Sequence, residues 1–391
     1  MNVFIKGLNG CWMRKTDIQR YRDFFLKNGH SIVDNPAQSD IVILWTCAFR
    51  QDYKDNSLSQ IDHYQKECHA EVVVAGCLPD IDSSSLQHFS GKILSWRDDE
   101  TVISQIFPGS NELRDIQRNV SENKLCDDVA EYRKQYPDRP ASFADQFTKL
   151  HISEGCRFEC TYCSERLAFP QYRSFSVNSL VEACRKSIEV TDHKKIMLLG
   201  DSIGDYGHDI GSSLPELIQR LIMLDPEVSV ALHGLNPAHF IKYYDDFTRL
   251  LLKGHIRHIS LPIQSASNRI LRLMNRSYMH EEIERIFNLF HDIGFSQFET
   301  HVIIGFPGES EEDFEKTSDF VLRHRPTYVL ASGFMEASGA PAAQLPDKVD
   351  AHTKRRRSKI LEERLHADGI ICNTDDSELS AARFHALNHV D

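Results

Sequence analysis

Three cysteines crowd the segment Glu154-Gly155-Cys156-Arg157-Phe158-Glu159-Cys160-Thr161-Tyr162-Cys163. The Cys-x3-Cys-x2-Cys spacing curls three thiolates around one point, and Gly155 lets the chain turn tightly just before them. Iron–sulfur clusters are usually held by four thiolates. Three ligands from one loop leave one iron of a cubane open, as catalytic zinc sites keep an open position, and an open iron can accept a small chelating molecule. Zinc is the competing reading. It usually takes paired Cys-x2-Cys units and a fourth ligand, and no second pair follows here.

Cys11, Cys47 and Cys77 are far apart in the chain but equivalent in topology. Each follows a short apolar run that reads as a strand, in Gly10-Cys11, Thr46-Cys47 and Gly76-Cys77. In an open α/β sheet such strand ends line the crevice where ligands bind. Neighbouring parallel strands lie about 4.8 Å apart, so three loops can bring three sulfurs to a second cluster. Three small buried thiols are the plainer alternative. Cys68, Cys126, Cys184 and Cys372 lack partners at ligand spacing and read as core or surface residues.

The elements that must position these groups fall into two alternating series. Strands are expected at 2–6, 40–45, 71–75 and 92–95, with helices at 17–27 and 53–67. That alternation predicts an α/β fold with a doubly wound parallel sheet over residues 1–110. A polar stretch without clean periodicity, 111–145, reads as a linker. Strands at 149–153, 195–199, 228–232, 256–261, 297–303 and 327–332, with helices at 214–224, 240–252, 281–291 and 311–323, predict a partial (β/α)6 TIM-type barrel over 146–367. Residues 368–391 read as a tail. Gly200-Asp201, Gln264-Ser265 and Gly305-Phe306-Pro307-Gly308-Glu309 all sit at C-terminal strand ends, where such a barrel keeps its active-site mouth. His233 closes the third barrel strand and either lines the cavity or simply packs.

Composition sets the broader frame. The 391 residues carry 45 Lys plus Arg against 57 Asp plus Glu, a formal net charge of −12. That balance disfavours broad phosphate binding. No apolar run approaches the length of a bilayer span, and the start lacks a secretory signal, so a cytoplasmic protein without a membrane partner is expected. The basic run Lys354-Arg355-Arg356-Arg357 on an expected helix at 354–365 can meet a phosphate or an acidic peptide, although such runs are more often solvated faces.

The cysteine loop, with Tyr162 before its third cysteine, resembles that of the radical-SAM superfamily. From Cys11 to about Leu365 the chain resembles radical-SAM methylthiotransferases. The matches are Gly10-Cys11 with Asp17, Thr46-Cys47 with Arg50, Gly76-Cys77, the run from Leu261 to Arg276, and Gly305 to Glu309 followed by Glu312-Asp313-Phe314. The resemblance implies two [4Fe-4S] clusters, one on Cys156, Cys160 and Cys163 and an auxiliary one on Cys11, Cys47 and Cys77, with S-adenosyl-L-methionine as the second cofactor. It further implies an adenosyl radical, methylation of a sulfur on the auxiliary cluster, and transfer of a methylthio group to an unactivated carbon. Tyr162, Gly200, Asp201, Gln264, Ser265, Gly305, Phe306 and Pro307 are the expected cofactor-binding residues. Arg173 joins them unless it is a surface ion pair. A flavodoxin or ferredoxin is the implied electron donor.

Arg14 and Trp45 stand where asparagine is usual in this family, and Asp201 replaces a common glutamine. After Leu365 too few residues follow for the family's RNA-binding TRAM domain. The expected substrate is therefore a peptide or small molecule. A tRNA or ribosomal protein is the alternative, as is sulfur transfer or oxidation without methylation.

Overall fold

The computed structural model describes residues 1–8, 12–95, 99–116, 119, 147–191, 193–337 and 339–377. Cys11 and Cys126 lie outside them, as does most of the expected linker.

The first series folds into five parallel strands, β1 (Asn2–Gly7), β2 (Ser31–Ile32), β3 (Ile41–Thr46), β4 (Glu71–Gly76) and β5 (Lys92–Ile93), in the order β2-β1-β3-β4-β5. The uninterrupted Ile-Val-Ile-Leu-Trp-Thr of β3 is buried along its whole length, as a strand covered on both faces must be. Helices α1 (Trp12–Lys27) and α2 (Gln51–Glu67) flank the sheet. Tyr21, Phe24 and Phe25 of α1 enter its core, where Tyr21 meets Trp45 edge-on at 4.8 Å. Trp45, one of the unusual positions, is thus a core residue. The strand order reverses between β1 and β3, which makes the gap between their C-terminal ends the crevice of the sheet. This domain runs past residue 110. Leu113 and Ile116 are buried in its core, and Arg20 donates to both their carbonyls at 2.7 and 3.0 Å.

The second series yields all six expected strands and two more: β6 (Thr148–Glu154), β7 (Arg173–Ser174), β8 (Lys195–Gly200), β9 (Ser229–Leu232), β10 (Ile256–Ser260), β11 (Phe298–Ile304), β12 (Tyr328–Gly333) and β13 (Ile371–Thr374). Their order is β13-β12-β11-β10-β9-β8-β6-β7, parallel throughout except for β6 against β7. The sheet curls into a partial barrel. One strand face packs outward on helices through Leu198, Val230, Ile259, Val302 and Val329. Successive strand residues point to opposite faces, so the residues between these line the interior.

Two expectations are corrected. Residues 368–391 are not simply a tail, because Ile371–Thr374 pairs with β12 and buries Cys372 completely. Four residues were too short a run to stand out from their polar neighbours. The single helix expected at 240–252 is two, Pro237–Lys242 and Tyr244–Leu252, broken at Tyr243, whose φ of −113° and ψ of 33° leave the helical region. Among the described residues no helix is long and apolar enough to cross a membrane.

Candidate functional site

The cysteine loop leaves β6 through Gly155, whose φ is +75° and whose missing Cβ would lie 2.1 Å from the carbonyl oxygen of Gln171. No other residue fits there. Beyond it the loop is gripped by the short segment from Leu273 to Arg276. The Thr161 amide donates to the Met274 carbonyl at 3.0 Å and its hydroxyl to the Leu273 carbonyl at 2.8 Å. Asn275 Nδ2 donates to the Glu159 carbonyl at 2.8 Å, and the Ala342 amide donates to the Thr161 carbonyl at 2.8 Å. Cys160 is buried, Cys156 and Cys163 less so. Burial pushes the Cys156 thiol up to about 12 and holds Cys163 well above the ordinary thiol value. Such thiols give up their protons to a positive partner, which iron supplies. Among the described residues no three His, Cys, Asp or Glu side chains converge as ligands of one ion. Cluster thiolates bind different irons and need no such convergence, so this donor set fits a cluster better than zinc.

Around this loop the expected mouth residues divide. Asp201, at the end of β8, accepts from the Gly155 amide at 2.8 Å and is ion-paired with Arg14 of α1. Both side chains are almost wholly buried. Arg14 also pairs with Asp17 at 3.0 Å and lies 3.8 Å over the Phe169 ring. The two residues that depart from the family pattern on opposite domains therefore meet each other. Burial, with Asp201 adding to it and Arg14 opposing, raises Glu165 to about 7. Gln264 adopts φ +66°, left-handed for a non-glycine residue, and is held there by backbone bonds to His301 and Ile303. Ser265 is buried and spends its hydroxyl on Thr317 and the Ser267 amide, so it braces the turn. Phe306 packs with Ile270, Met274 and Phe334. Glu309 accepts from the Gly305 amide at 2.7 Å and from Arg357 at 2.8 Å.

Arg173 is exposed and paired with Glu154 at 2.9 Å, the surface-pair alternative. Within the basic run Arg355 and Arg356 are exposed, as on a solvated face, and Arg357 is buried. Arg356 and Arg357 pair with Glu311, Arg364 with Glu315, and Lys354 donates to the Phe334 carbonyl at 2.9 Å.

The barrel interior carries groups that the sequence reading passed over. Met13 of α1 packs against Phe147, Met197, Leu199 and Ala231, so the first domain reaches onto the inner face of the barrel. Thr16 lies 3.4 Å from His151 Nδ1, His258 Nε2 is 3.6 Å from Glu299, and Ser260 is 3.5 Å from His301 Nε2. Polar residues at alternate positions of otherwise apolar strands were the available signal. Burial alone would raise Glu299, but the His258 bond and the charges of His258, His301 and His233 pull it down to about 2. Burial lowers His301 to about 4 against the pull of Glu299. Between pH 6.5 and 4 the unfolded chain takes up a proton that folded His301 refuses. Stability therefore falls as pH drops through that window, by no more than ~1.4 kcal/mol per pH unit for one proton. Melting temperatures measured across it should show a shallower fall for His301→Gln than for the parent. Parallel curves would remove His301 from the account.

On the first sheet, Cys47 and Cys77 are both buried at C-terminal strand ends. They follow the paired residues Thr46 and Gly76, and the Cys77 amide donates to the Thr46 carbonyl at 3.1 Å, so the two cysteines leave adjacent strands side by side. Gly76 has φ +92° and a Cβ there would strike the Thr46 carbonyl at 2.4 Å. The contacts of this edge run to the barrel rim. Arg14 reaches Asp201 beyond β8, and Arg50 reaches Asp375 at 3.1 Å beyond β13. The helix Leu78–Ile81 after Cys77 packs on the helix Glu165–Ala168 after Cys163.

Comparison with known proteins places these features. Residues 150–321 match the model of the radical SAM superfamily, and residues 2–96 match that of the uncharacterized protein family UPF0004. A probable threonylcarbamoyladenosine tRNA methylthiotransferase of Pyrococcus horikoshii is 28% identical over 370 residues, spanning 92% of this chain and 83% of that one. The ribosomal protein uS12 methylthiotransferase RimO of Thermotoga maritima is 28% identical over 370 residues, spanning 92% and 82%. In fold the chain is similar to the radical S-adenosylmethionine methyltransferase TsrM of Kitasatospora setae, with a TM-score of 0.59 at 13% identity over 87% of this chain and 74% of that one.

Proposed function

Because the chain belongs to the radical-SAM methylthiotransferase family, an enzyme family that forms carbon–sulfur bonds, we propose that it installs a methylthio group on an unactivated carbon. In this reading Cys156, Cys160 and Cys163 hold the [4Fe-4S] cluster that binds S-adenosyl-L-methionine, and Cys11, Cys47 and Cys77 hold an auxiliary [4Fe-4S] cluster. One observation carries it: the cysteine-bearing edge of the first sheet touches the barrel rim beside the cysteine loop, through Arg14, Arg50 and the helix Leu78–Ile81. When bound, the first cluster and its cofactor supply one-electron cleavage to an adenosyl radical, fed by a low-potential donor such as a flavodoxin or ferredoxin.

The chain's own residues do the positioning. Leu273 to Arg276 fix the loop, Asp201 ties its first turn to α1, and Phe169 with Arg14 closes the seam against water. Met13, Phe147, Met197 and Leu199 pack as one apolar cluster on the inner face, which also carries the polar side chains of His258 and Glu299 that can orient a substrate. A carbon radical made there is protected from side reactions.

The substrate we assign is a peptide or small molecule. The net charge of −12 and the pairing of Arg356, Arg357 and Arg364 with carboxylates support it, because both weaken the pull on a phosphate backbone. The printed substrates of the relatives, a tRNA nucleoside and a ribosomal protein, are the alternative. The test is to reconstitute the protein anaerobically with iron and sulfide, supply cofactor and reductant, and offer a peptide and metabolite extract alongside bulk tRNA and ribosomal protein. A product heavier by one methylthio group, with S-adenosylhomocysteine formed alongside 5′-deoxyadenosine, is expected in the first pool. Label in tRNA nucleosides alone would overturn the substrate class. Cofactor cleavage with no methylthio product in any pool would overturn the transfer itself.

A further inference from the structure

Arg276 is buried, and a guanidinium cannot shed its charge. Among the described residues it has four acceptors. Nη1 donates to Cys160 Sγ at 3.3 Å and to the Tyr162 hydroxyl at 3.1 Å, Nη2 to the Pro262 carbonyl at 3.1 Å, and Nε to the Tyr278 hydroxyl at 2.7 Å. None of these is a carboxylate. Three other strongly buried arginines, Arg14, Arg50 and Arg357, each meet an Asp or Glu. Burying a cation without an anion is costly, and of these acceptors the Cys160 sulfur, with whatever metal assembly it joins, gives up a proton most readily and so best supplies the negative charge.

The guanidinium is also placed with care. Asn275 beside it has φ +56°, and the segment it ends makes the hydrogen bonds that hold the cysteine loop. Tyr278 keeps the far side of the fork in position, its own hydroxyl donating to the Ile263 carbonyl at 3.0 Å.

We propose that Arg276 is a positioning residue that sets the reduction potential of the cluster on Cys156, Cys160 and Cys163, resting on the reading that these three cysteines hold one. Adding one electron to the cluster from a low-potential donor makes it one unit more negative, with no proton or bond exchanged. A fixed cation and a hydrogen bond to the thiolate sulfur favour that more negative state, so they raise the potential and ease the reduction that must precede cofactor cleavage.

The experiment uses the full chain carrying Cys47→Ala and Cys77→Ala, so that one cluster reports, with Arg276→Met, Arg276→Gln and Arg276→Lys added in turn. Iron content and melting temperature are measured first. The midpoint then follows from a mediated redox titration read by the electron paramagnetic resonance of the reduced cluster. In Arg276→Met and Arg276→Gln the ratio of reduced to oxidised cluster at a fixed poise should fall at least tenfold, equivalent to a midpoint at least 59 mV lower for a one-electron couple. Arg276→Lys, which keeps the charge without the fork, should fall between them and the parent. Iron-replete, folded Met or Gln variants with the parent midpoint would overturn the proposal. So would a Lys variant as displaced as Met, since the charge would then not be the cause. If the parent itself binds no iron at Cys156, Cys160 and Cys163, the cluster reading fails first, and that failure shows in the iron measurement alone.

Discussion

Alanine at both Cys47 and Cys77 will abolish methylthiolated product while leaving release of 5′-deoxyadenosine intact, whereas alanine at Cys156, Cys160 and Cys163 will abolish both. The asymmetry follows from geometry. The loop at Cys156 is built on β6 and clamped by Leu273 to Arg276, all within the barrel, so none of its three thiolates comes from the first sheet. Cys47 and Cys77 leave β3 and β4 of the other domain. Each set of substitutions should remove about half of the reconstituted iron, since each removes one cluster of the same size. Product analysis by mass spectrometry beside iron determination decides the matter. A Cys47→Ala, Cys77→Ala protein that keeps its full iron and still transfers sulfur would dismiss the auxiliary site.

The second large effect concerns the buried bridge between domains. Asp201→Gln leaves the Arg14 guanidinium, 2% exposed, without the Asp201 carboxylate. Breaking a buried pair from one side typically costs about 3–5 kcal/mol, and the retained Asp17 contact places this case toward the low end. Arg14→Asn alone leaves Asp201 with its Gly155 contact but no cation, and should be comparably destabilising. The double variant Arg14→Asn with Asp201→Gln restores the residue types usual in the family. It should cost less than the two single changes added together, by a coupling of about 1–3 kcal/mol in a double-mutant cycle read from urea unfolding. Simple additivity would show that the two departures are unrelated.

How far the sequence could be read depended on the range of the interaction. The cysteine loop was legible because its three ligands are local, and the strands because runs such as 41–45 are apolar end to end. The pairing of Arg14 with Asp201 was not, since 187 positions separate them and each looked only like an isolated departure. Arg276 went unremarked within a matching stretch because its partner Cys160 lies 116 residues away. The basic run of the helix Ala351–Ala367 read as solvated or phosphate-seeking, yet its partners Glu309, Glu311 and Glu315 belong to another element whose proximity only the fold creates. The interior histidines were hidden for a different reason. Period two tells that a strand has two faces, but not which one looks into a cavity.

Arg50, three residues past Cys47, closes on Asp375 and on the carbonyl of Thr374, 324 positions further on. During synthesis the first sheet emerges early and can fold by itself, while that clasp waits for the last strand to leave the ribosome. A nascent chain halted before Thr374 would leave Arg50 without that clasp.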